Sequence, residues 1–310
     1  MNSISQLRFY PKSLMSILLL LAVLPMQAQV EVSKKNVSIQ SGWEPGKSYL
    51  FELSHNERED QKSASLVIRY QIEIMSMLPS KYQAVLHVEV QQGLENSAAE
   101  ILAAIPIEMS LGKTGGVNVD RIDDLNAQFL TGLEGLEDRS EEIQTLIEQM
   151  ETEEESPILK YLNFLGHINP QHPNPYVIHR EKPKPVEKSE VSIQDVKMPM
   201  LEATSFLPIG NRKSPDSYES MDSNYLDQKA YQKVFKEAIR SKIAEEFEEE
   251  NPKLDEIDLE LNFFIKMISR FDAKTGIIQF AQISKHIGML NSGYSSTLRI
   301  SRVNPENAVQ

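Results

Sequence analysis

The chain has 310 residues, no cysteine and a formal net charge of −13, with 45 acidic against 32 basic side chains. The lack of cysteine excludes disulfides, thiol catalysis, thiolate metal sites and a lipid anchor attached through cysteine. The acidic balance disfavours nucleic acid and anionic lipid surfaces as partners, because both carry negative charge. A chain of this length can bury a stable core without covalent cross-links.

Residues 1–28 predict a secretory signal peptide. Arg8 and Lys12 precede an apolar run over residues 14–24, and a small residue, Ala28, comes just before a polar chain begins. This order is typical of a signal that is cleaved after Ala28, and the apolar run is too short to remain as a transmembrane helix. We therefore expect an exported protein, periplasmic or secreted, that is soluble and has no stable membrane anchor.

Residues 29–168 predict a β-rich half that also contains helices. After an irregular arm over residues 30–45 and a strand over 47–56, two runs separated by the turn 78–81 carry apolar residues at every second position. This alternation is typical of an antiparallel hairpin with one buried face. The first run contains Leu66, Ile68, Tyr70, Ile72 and Ile74, and the second contains Tyr82, Ala84, Leu86, Val88 and Val90.

The pattern then passes from strand to helix. Residues 112–116, Gly-Lys-Thr-Gly-Gly, predict the turn of a further hairpin. Two helices are expected after it, and Ser140 can cap the second. The first carries apolar residues at Ile122, Leu125, Phe129, Leu130 and Leu133, and the second at Ile143, Leu146, Ile147 and Met150.

Residues 169–190 predict a proline-rich linker, because five prolines over residues 170–185 exclude a helix or a central strand. The second half, residues 191–310, predicts a strand over 191–202, a polar loop over 206–222 and an amphipathic helix over 229–247. A strand over 257–267, a hairpin turn over 272–276 and a closing strand over 297–303 follow. The expected core face of the strong strand is Ile257, Leu259, Leu261, Phe263, Ile265 and Met267, covered by the helical stripe Tyr231, Phe235, Ile239 and Ile243.

Together these elements predict an α+β fold, with antiparallel sheet and amphipathic helices packed on one face. Both halves contain paired strands, a Lys-Thr-Gly turn and an amphipathic helix, which hints at two related halves. The segments "GKSYLFEL", "KYQAVLHVEV" and "FDAKTGIIQFAQ" resemble those of a group of uncharacterised exported envelope proteins from Bacteroidota-type Gram-negative bacteria. The resemblance implies a β-rich periplasmic or surface protein and brings no catalytic residue with it.

Three residue groups are candidate sites. Gly112-Lys113-Thr114 lacks the upstream glycine of a phosphate-binding loop, because Ile107 stands in its place, so a hairpin turn is favoured. The loop histidines His167, His172 and His179 match no fixed metal-ligand spacing. Asp258 and Glu260 share one strand face, as two acids flanking a glycosidic bond would, but acids opposite an apolar face are usual on an exposed sheet.

These observations predict no catalytic, cofactor-binding or metal residue, and we expect a protein that is not an enzyme. The favoured hypothesis is an exported envelope protein that binds an apolar ligand in a cleft between sheet and helices. The alternatives are a structural or interaction factor whose partner is another envelope protein, and a hydrolase whose site the sequence does not reveal.

Overall fold

The computed structural model describes residues 30–32, 36–60, 62–152, 158–170, 176–177, 187–193, 196–211, 214–234, 237, 261–289 and 292–303. Within these ranges the chain forms fourteen strands. They are β1 (Val30–Val32), β2 (Asn36–Ile39), β3 (Ser48–Glu59), β4 (Lys62–Met77), β5 (Lys81–Gln92), β6 (Ile107–Gly112), β7 (Val117–Val119), β8 (Tyr176–Val177), β9 (Glu187–Ile193), β10 (Val196–Asn211), β11 (Ser214–Leu226), β12 (Leu261–Asp272), β13 (Ile278–Met289) and β14 (Ser292–Val303).

Eleven of these strands form one antiparallel sheet. Their order is β7-β6-β5-β4-β3-β14-β13-β12-β11-β10-β9, while β1, β2 and β8 form a separate three-stranded sheet. The last strand of the chain, β14, pairs with β3 over ten residue pairs, from Tyr294 opposite Glu59 to Val303 opposite Leu50. This pairing joins the two halves of the sequence in a single sheet, because it places the C-terminal hairpins directly beside the N-terminal ones.

The chain adopts a predominantly antiparallel sheet with a minor helical share, which matches the expected α+β class only in part. Besides the helical residues 228–234, the helices of the described ranges are few and short. They are α1 (Asn96–Ala104), α2 (Ile122–Glu134), α3 (Glu141–Thr152) and α4 (Leu159–Leu162), which continues into a 3-10 turn (Asn163–His167). The sequence predicted α2 and α3, and the Ser140 hydroxyl accepts a hydrogen bond from the Ile143 N–H at 3.2 Å, as expected of a cap.

Helix α1 was missed. The Glu95 carboxylate accepts a hydrogen bond from the Ala98 N–H at 3.1 Å and so caps the helix. Ala98 and Leu102, one turn apart, are its buried residues and belong to the main core. Only two of nine residues are buried, so the apolar spacing is too sparse to stand out in a stretch dominated by strands.

One face of the sheet, which we call the inner face, is buried across the two halves. The alternating residues predicted on β4 and β5 are all buried there, which confirms the hairpin. A single cross-strand row is buried from β10 to β5, and each residue lies opposite the next. The row is Phe206, Ser220, Ser269, Ala281, Ile300, Leu53, Ile68 and Val90.

Three predictions along the chain were wrong in detail. The arm over residues 30–45 contains the hairpin β1–β2, and the strand expected over 191–202 is divided between β9 and β10. The polar loop expected over 206–222 is instead the end of β10 and most of β11, which pair with each other. The polar side chains of this segment do not prevent strand pairing. Pro208 is tolerated because β10 has no neighbour on its other side at that point, since β9 pairs only as far as Glu202.

The segment predicted as a linker is described at its two ends and at residues 176–177. Asn169 is buried, and residues 187–190 belong to β9, an edge strand, which the proline argument permits. Residues 171–175 and 178–186 lie outside the described residues. The division of the chain into two domains joined by a linker stays a prediction.

The second half follows the predicted pattern where it is described. On β12, Phe263 is buried while Leu261, Ile265 and Met267 are partly buried. Residues 228–234 are helical, and Tyr231 packs with Met200, Leu226 and Phe263, so the described member of the helical stripe does lie over this sheet. Ile257, Leu259 and the side chains of Phe235, Ile239 and Ile243 lie outside the described residues.

Candidate functional site

The inner face carries two apolar clusters. The larger joins helices α1 to α4 to strands β3 to β6 and continues onto β10, β12, β13 and β14 through Phe206, Phe271, Ile283 and Leu298. The smaller consists of Met200, Leu226, Tyr231 and Phe263, with Leu261 and Ile265 packed against it. Polar side chains stand between the two clusters on the same face.

These polar side chains are aligned by the register of the sheet. In one row, which crosses the strands from β10 to β3, each residue lies opposite the next, and all but Ile265 are polar. We call it the inner polar row: Glu202, Asn224, Ile265, Lys285, Ser296 and Glu57. The next row on this face, one step closer to the larger cluster, is Thr204, Asp222, Met267, Ile283, Leu298 and His55. On β13 and β14 the inner face therefore passes from apolar to polar within two residues, from Ile283 to Lys285 and from Leu298 to Ser296.

His55 is the centre of a hydrogen-bonded group at one end of the inner polar row. Its Nε2 lies 2.8 Å from the Ser296 Oγ and 3.4 Å from the Glu57 Oε1. The Tyr294 hydroxyl donates a hydrogen bond to the same Glu57 oxygen at 2.8 Å. Burial lowers the pKa of His55; Glu57 opposes this effect and Lys285 adds to it.

This group contains the residue types of a serine hydrolase but not its geometry. In a Ser-His-acid triad the acid orients one ring nitrogen so that the other can accept the serine proton. Here Ser296 and Glu57 both lie near Nε2. A single nitrogen cannot donate to the acid and accept from the serine at once, so the arrangement does not activate Ser296.

Lys285 lies on the inner face among apolar side chains. Ile283 and Ile287 flank it on β13, and Ile265 is opposite it on β12. It is an exposed residue, and no ion pair joins it to any carboxylate in the described part of the chain. Burial lowers the pKa of His167 in the 3-10 turn, and the charge of Lys285 lowers it further, as it does for His55.

The 3-10 turn lies beside this group. The Phe164 ring centroid is 5.3 Å from that of His55, with the two rings tilted at 60°. Lys285 acts on both histidines, one from β3 and one from the turn, so the fold brings together titratable side chains from three separate parts of the chain.

A second polar group lies on β10 and β11. Burial raises the pKa of Asp222, and a hydrogen bond with Thr204 partly opposes that effect. The Ser220 hydroxyl is buried without a hydrogen-bond partner. Asp222 and Ser220 share the inner face with Ser269, which lies opposite Ser220 on β12. Buried hydroxyls normally have partners, so Ser220 Oγ has unused hydrogen-bonding capacity.

The candidate site residues that the sequence offered lie mostly outside this region. Gly112–Thr114 form part of the β6–β7 turn, as expected, with the Gly112 N–H donating to the Gly116 carbonyl at 2.9 Å. His172, His179, Asp258 and Glu260 lie outside the described residues. In the described ranges, no cluster of three or more histidine or acidic side chains is arranged to hold a metal.

Sequence reasoning missed His55 and Lys285 as neighbours and treated His167 only as a loop histidine. A signal was present for His55, because it continues the alternation of Phe51 and Leu53 onto the buried face.

Within the described part of the chain, none of the helices is both long enough and apolar enough to cross a bilayer.

An open groove of about 430 Å³ lies elsewhere, between α3 and the turn that precedes α1. Its lining includes Gly93, Leu94, Glu95, Glu142 and Leu146. The groove is therefore formed by a turn and a helix, and the cleft between the helices and the sheet stays a prediction.

Comparisons with known proteins add little. No model of a known protein family matches the chain, and no curated protein matches it. Among solved structures it is similar to one described as "Lipid-protein interactions in lipovitellin", with 9% sequence identity and a TM-score of 0.36 over 84% of this chain. The chain spans about a quarter of that structure's length, since the match covers 25% of it. A likeness this distant does not indicate a function.

Proposed function

We propose that this is an exported, non-catalytic envelope protein that binds an apolar ligand on the inner face of β12 and β13, beside helical residues 228–234. The observation that carries the proposal is the exposure of Ile287, which is 40% although Phe263, opposite it on β12, is buried. Ile265 and Met267 on β12 are also only partly buried. Apolar side chains on the core face of a sheet are expected to be covered, so their exposure suggests a surface that a ligand covers.

Covering Ile287 makes a measurable contribution to the free energy of binding. Complete burial of an isoleucine side chain is worth about 1.5 to 3 kcal/mol. Covering the exposed 40% of Ile287 therefore contributes about 1 kcal/mol, which corresponds to about a fivefold change in Kd. Each further apolar side chain that the ligand covers adds a contribution in proportion to the area it buries.

The test uses a neutral fluorescent probe, N-phenyl-1-naphthylamine, whose emission rises in apolar surroundings. Ile287→Asn should weaken its binding at least about fivefold, because the side chain loses its apolar contact with the probe. The matched control is Phe264→Asn. Phe264 lies on the adjacent strand with 41% exposure, but its side chain faces the opposite side of the sheet and stacks on His286.

The two variants separate a ligand surface from general hydrophobicity. Binding by the parent protein, lost in Ile287→Asn and kept in Phe264→Asn, would support the proposal. No probe binding at all, or an equal loss in both variants at unchanged Tm, would contradict it. Extraction and mass spectrometry of protein exported by its host should in addition recover a bound apolar molecule.

A separate observation favours an interaction factor as the second candidate. Met75, Met77 and Leu78 are all exposed at the tip of the β4–β5 hairpin, where Met75 is 57% exposed. A contiguous exposed apolar patch often marks a protein contact. A photo-crosslinking residue at position 75 should then give a discrete adduct in the envelope, and the same residue at the isolated exposed Leu207 should not. Equal labelling at both positions would argue against a contact at the tip.

A further inference from the structure

We propose that the ligand of the inner face is an amphiphile with an anionic head group, which Lys285 binds while β12 and β13 cover the apolar chain. This inference rests on the proposed function and names the class of its ligand. It concerns a carboxylate or phosphate attached to a hydrocarbon chain.

The placement of Lys285 is the first observation. Its neighbours on the inner face are apolar on three sides: Ile283 and Ile287 along β13, and Ile265 across on β12. Ile283 is buried, so the alternation along β13 directs Lys285 to the same face as the core. A cation beside apolar side chains, of which Ile287 is exposed, matches an amphiphile, whose charge is joined directly to a hydrocarbon chain.

The lack of a competing anion is the second observation. No ion pair joins Lys285 to a described carboxylate. Glu57, the acid at the β3 end of the inner polar row, instead accepts a hydrogen bond from Tyr294 and lies 3.4 Å from His55. The lysine therefore remains available to an incoming anion, and a charge-assisted hydrogen bond is stronger than a neutral one.

The third observation is the polarity of the fourth neighbour. Ser296 lies opposite Lys285 on β14, and its hydroxyl is already shared with His55. A head group bound at Lys285 would therefore lie next to a hydroxyl and an imidazole that can contribute further hydrogen bonds. The opposite direction, toward Ile265 and Phe263, is apolar and suits the chain.

The experiment measures displacement of N-phenyl-1-naphthylamine by three ligands with the same chain: myristate, tetradecyl phosphate and tetradecanol. The parent protein should bind at least one of the two anions about tenfold more tightly than the alcohol. A tenfold difference in Kd is at the lower end of what a hydrogen bond to a charged group contributes. Lys285→Met should remove this preference and leave alcohol binding unchanged. Lys285→Arg should retain it.

Lys266→Met is the control, because Lys266 is on β12 next to Ile265 but on the opposite face. It should preserve the preference for the anion. Equal binding of all three ligands, or an equal effect of Lys285→Met and Lys266→Met, would overturn the inference while the proposed function stands. Failure of the probe itself to bind would overturn the proposed function. Comparison of myristate with tetradecyl phosphate identifies which anion the site prefers.

Discussion

Asn169 is expected to be a stabilising residue although it lies at the start of a proline-rich stretch. Its side chain is 1% exposed and makes three hydrogen bonds. The amide nitrogen donates to the Gly112 carbonyl at 3.0 Å and to the Gly116 carbonyl at 2.8 Å. The amide oxygen accepts from the Ser41 hydroxyl at 2.8 Å. One side chain thus fastens the β6–β7 turn to the segment before β3.

The expected cost of Asn169→Ala follows from these contacts. Three hydrogen bonds at about 1 kcal/mol each give a loss of about 3 kcal/mol, a substantial part of the roughly 5 to 15 kcal/mol that stabilises most proteins. Asn169→Asp should be more damaging. It keeps the shape but presents a carboxylate oxygen, in place of a donor, to the two glycine carbonyls.

Urea denaturation of the protein measures this loss. With a slope of about 2 kcal/mol per molar urea, the midpoint should fall by about 1.5 M. The control is Asn118→Ala, which removes an exposed hydrogen bond of 3.0 Å to Asp120 and should cost under about 0.5 kcal/mol. Equal urea midpoints for Asn169→Ala and Asn118→Ala would refute the reasoning. They would show that the hydrogen bonds of Asn169 do not stabilise the protein.

Two further predictions concern polar groups on the inner face. Tyr70→Phe should lower the free energy of unfolding by about 1 kcal/mol, because the buried hydroxyl donates to the Tyr161 carbonyl of α4; an unchanged urea midpoint would show that this bond does not hold α4 in place. Asp222→Asn should raise the Tm at pH 7 and leave it unchanged near pH 3. The pKa of Asp222 is raised in the folded state, so ionisation above the unfolded pKa costs stability that an amide does not lose. If the Tm difference between Asp222→Asn and the parent protein did not grow between pH 3 and pH 7, the raised pKa of Asp222 would be contradicted.

Short-range periodicity made much of the fold predictable. The alternation on β4 and β5, the three-and-four spacing of α2 and α3, and the turns at residues 78–81 and 272–276 all depend on side chains close in sequence. Each is confirmed where the structure describes it. The reason is that a half-buried strand or helix must repeat its apolar residues at its own period, whatever the rest of the chain does.

The same reasoning failed on β10 and β11. Ser220, Asp222 and Asn224 occupy inner-face positions, so polar residues stand where the rule expects apolar ones. These strands are specified by their neighbours, which satisfy the backbone hydrogen bonds through pairing. A polar strand of this kind is indistinguishable from a loop until the residues it pairs with are known.

The candidate site was decided entirely by tertiary structure. His55 and Ser296 are 241 residues apart in the chain and meet because β14 pairs with β3. Lys285 then lies one strand further along the same row. The sequence by itself determined which face of most strands is apolar, since that depends on neighbours two residues away. Only the strand order and register decided which polar side chains interrupt that face together, because both arise from pairing between distant segments.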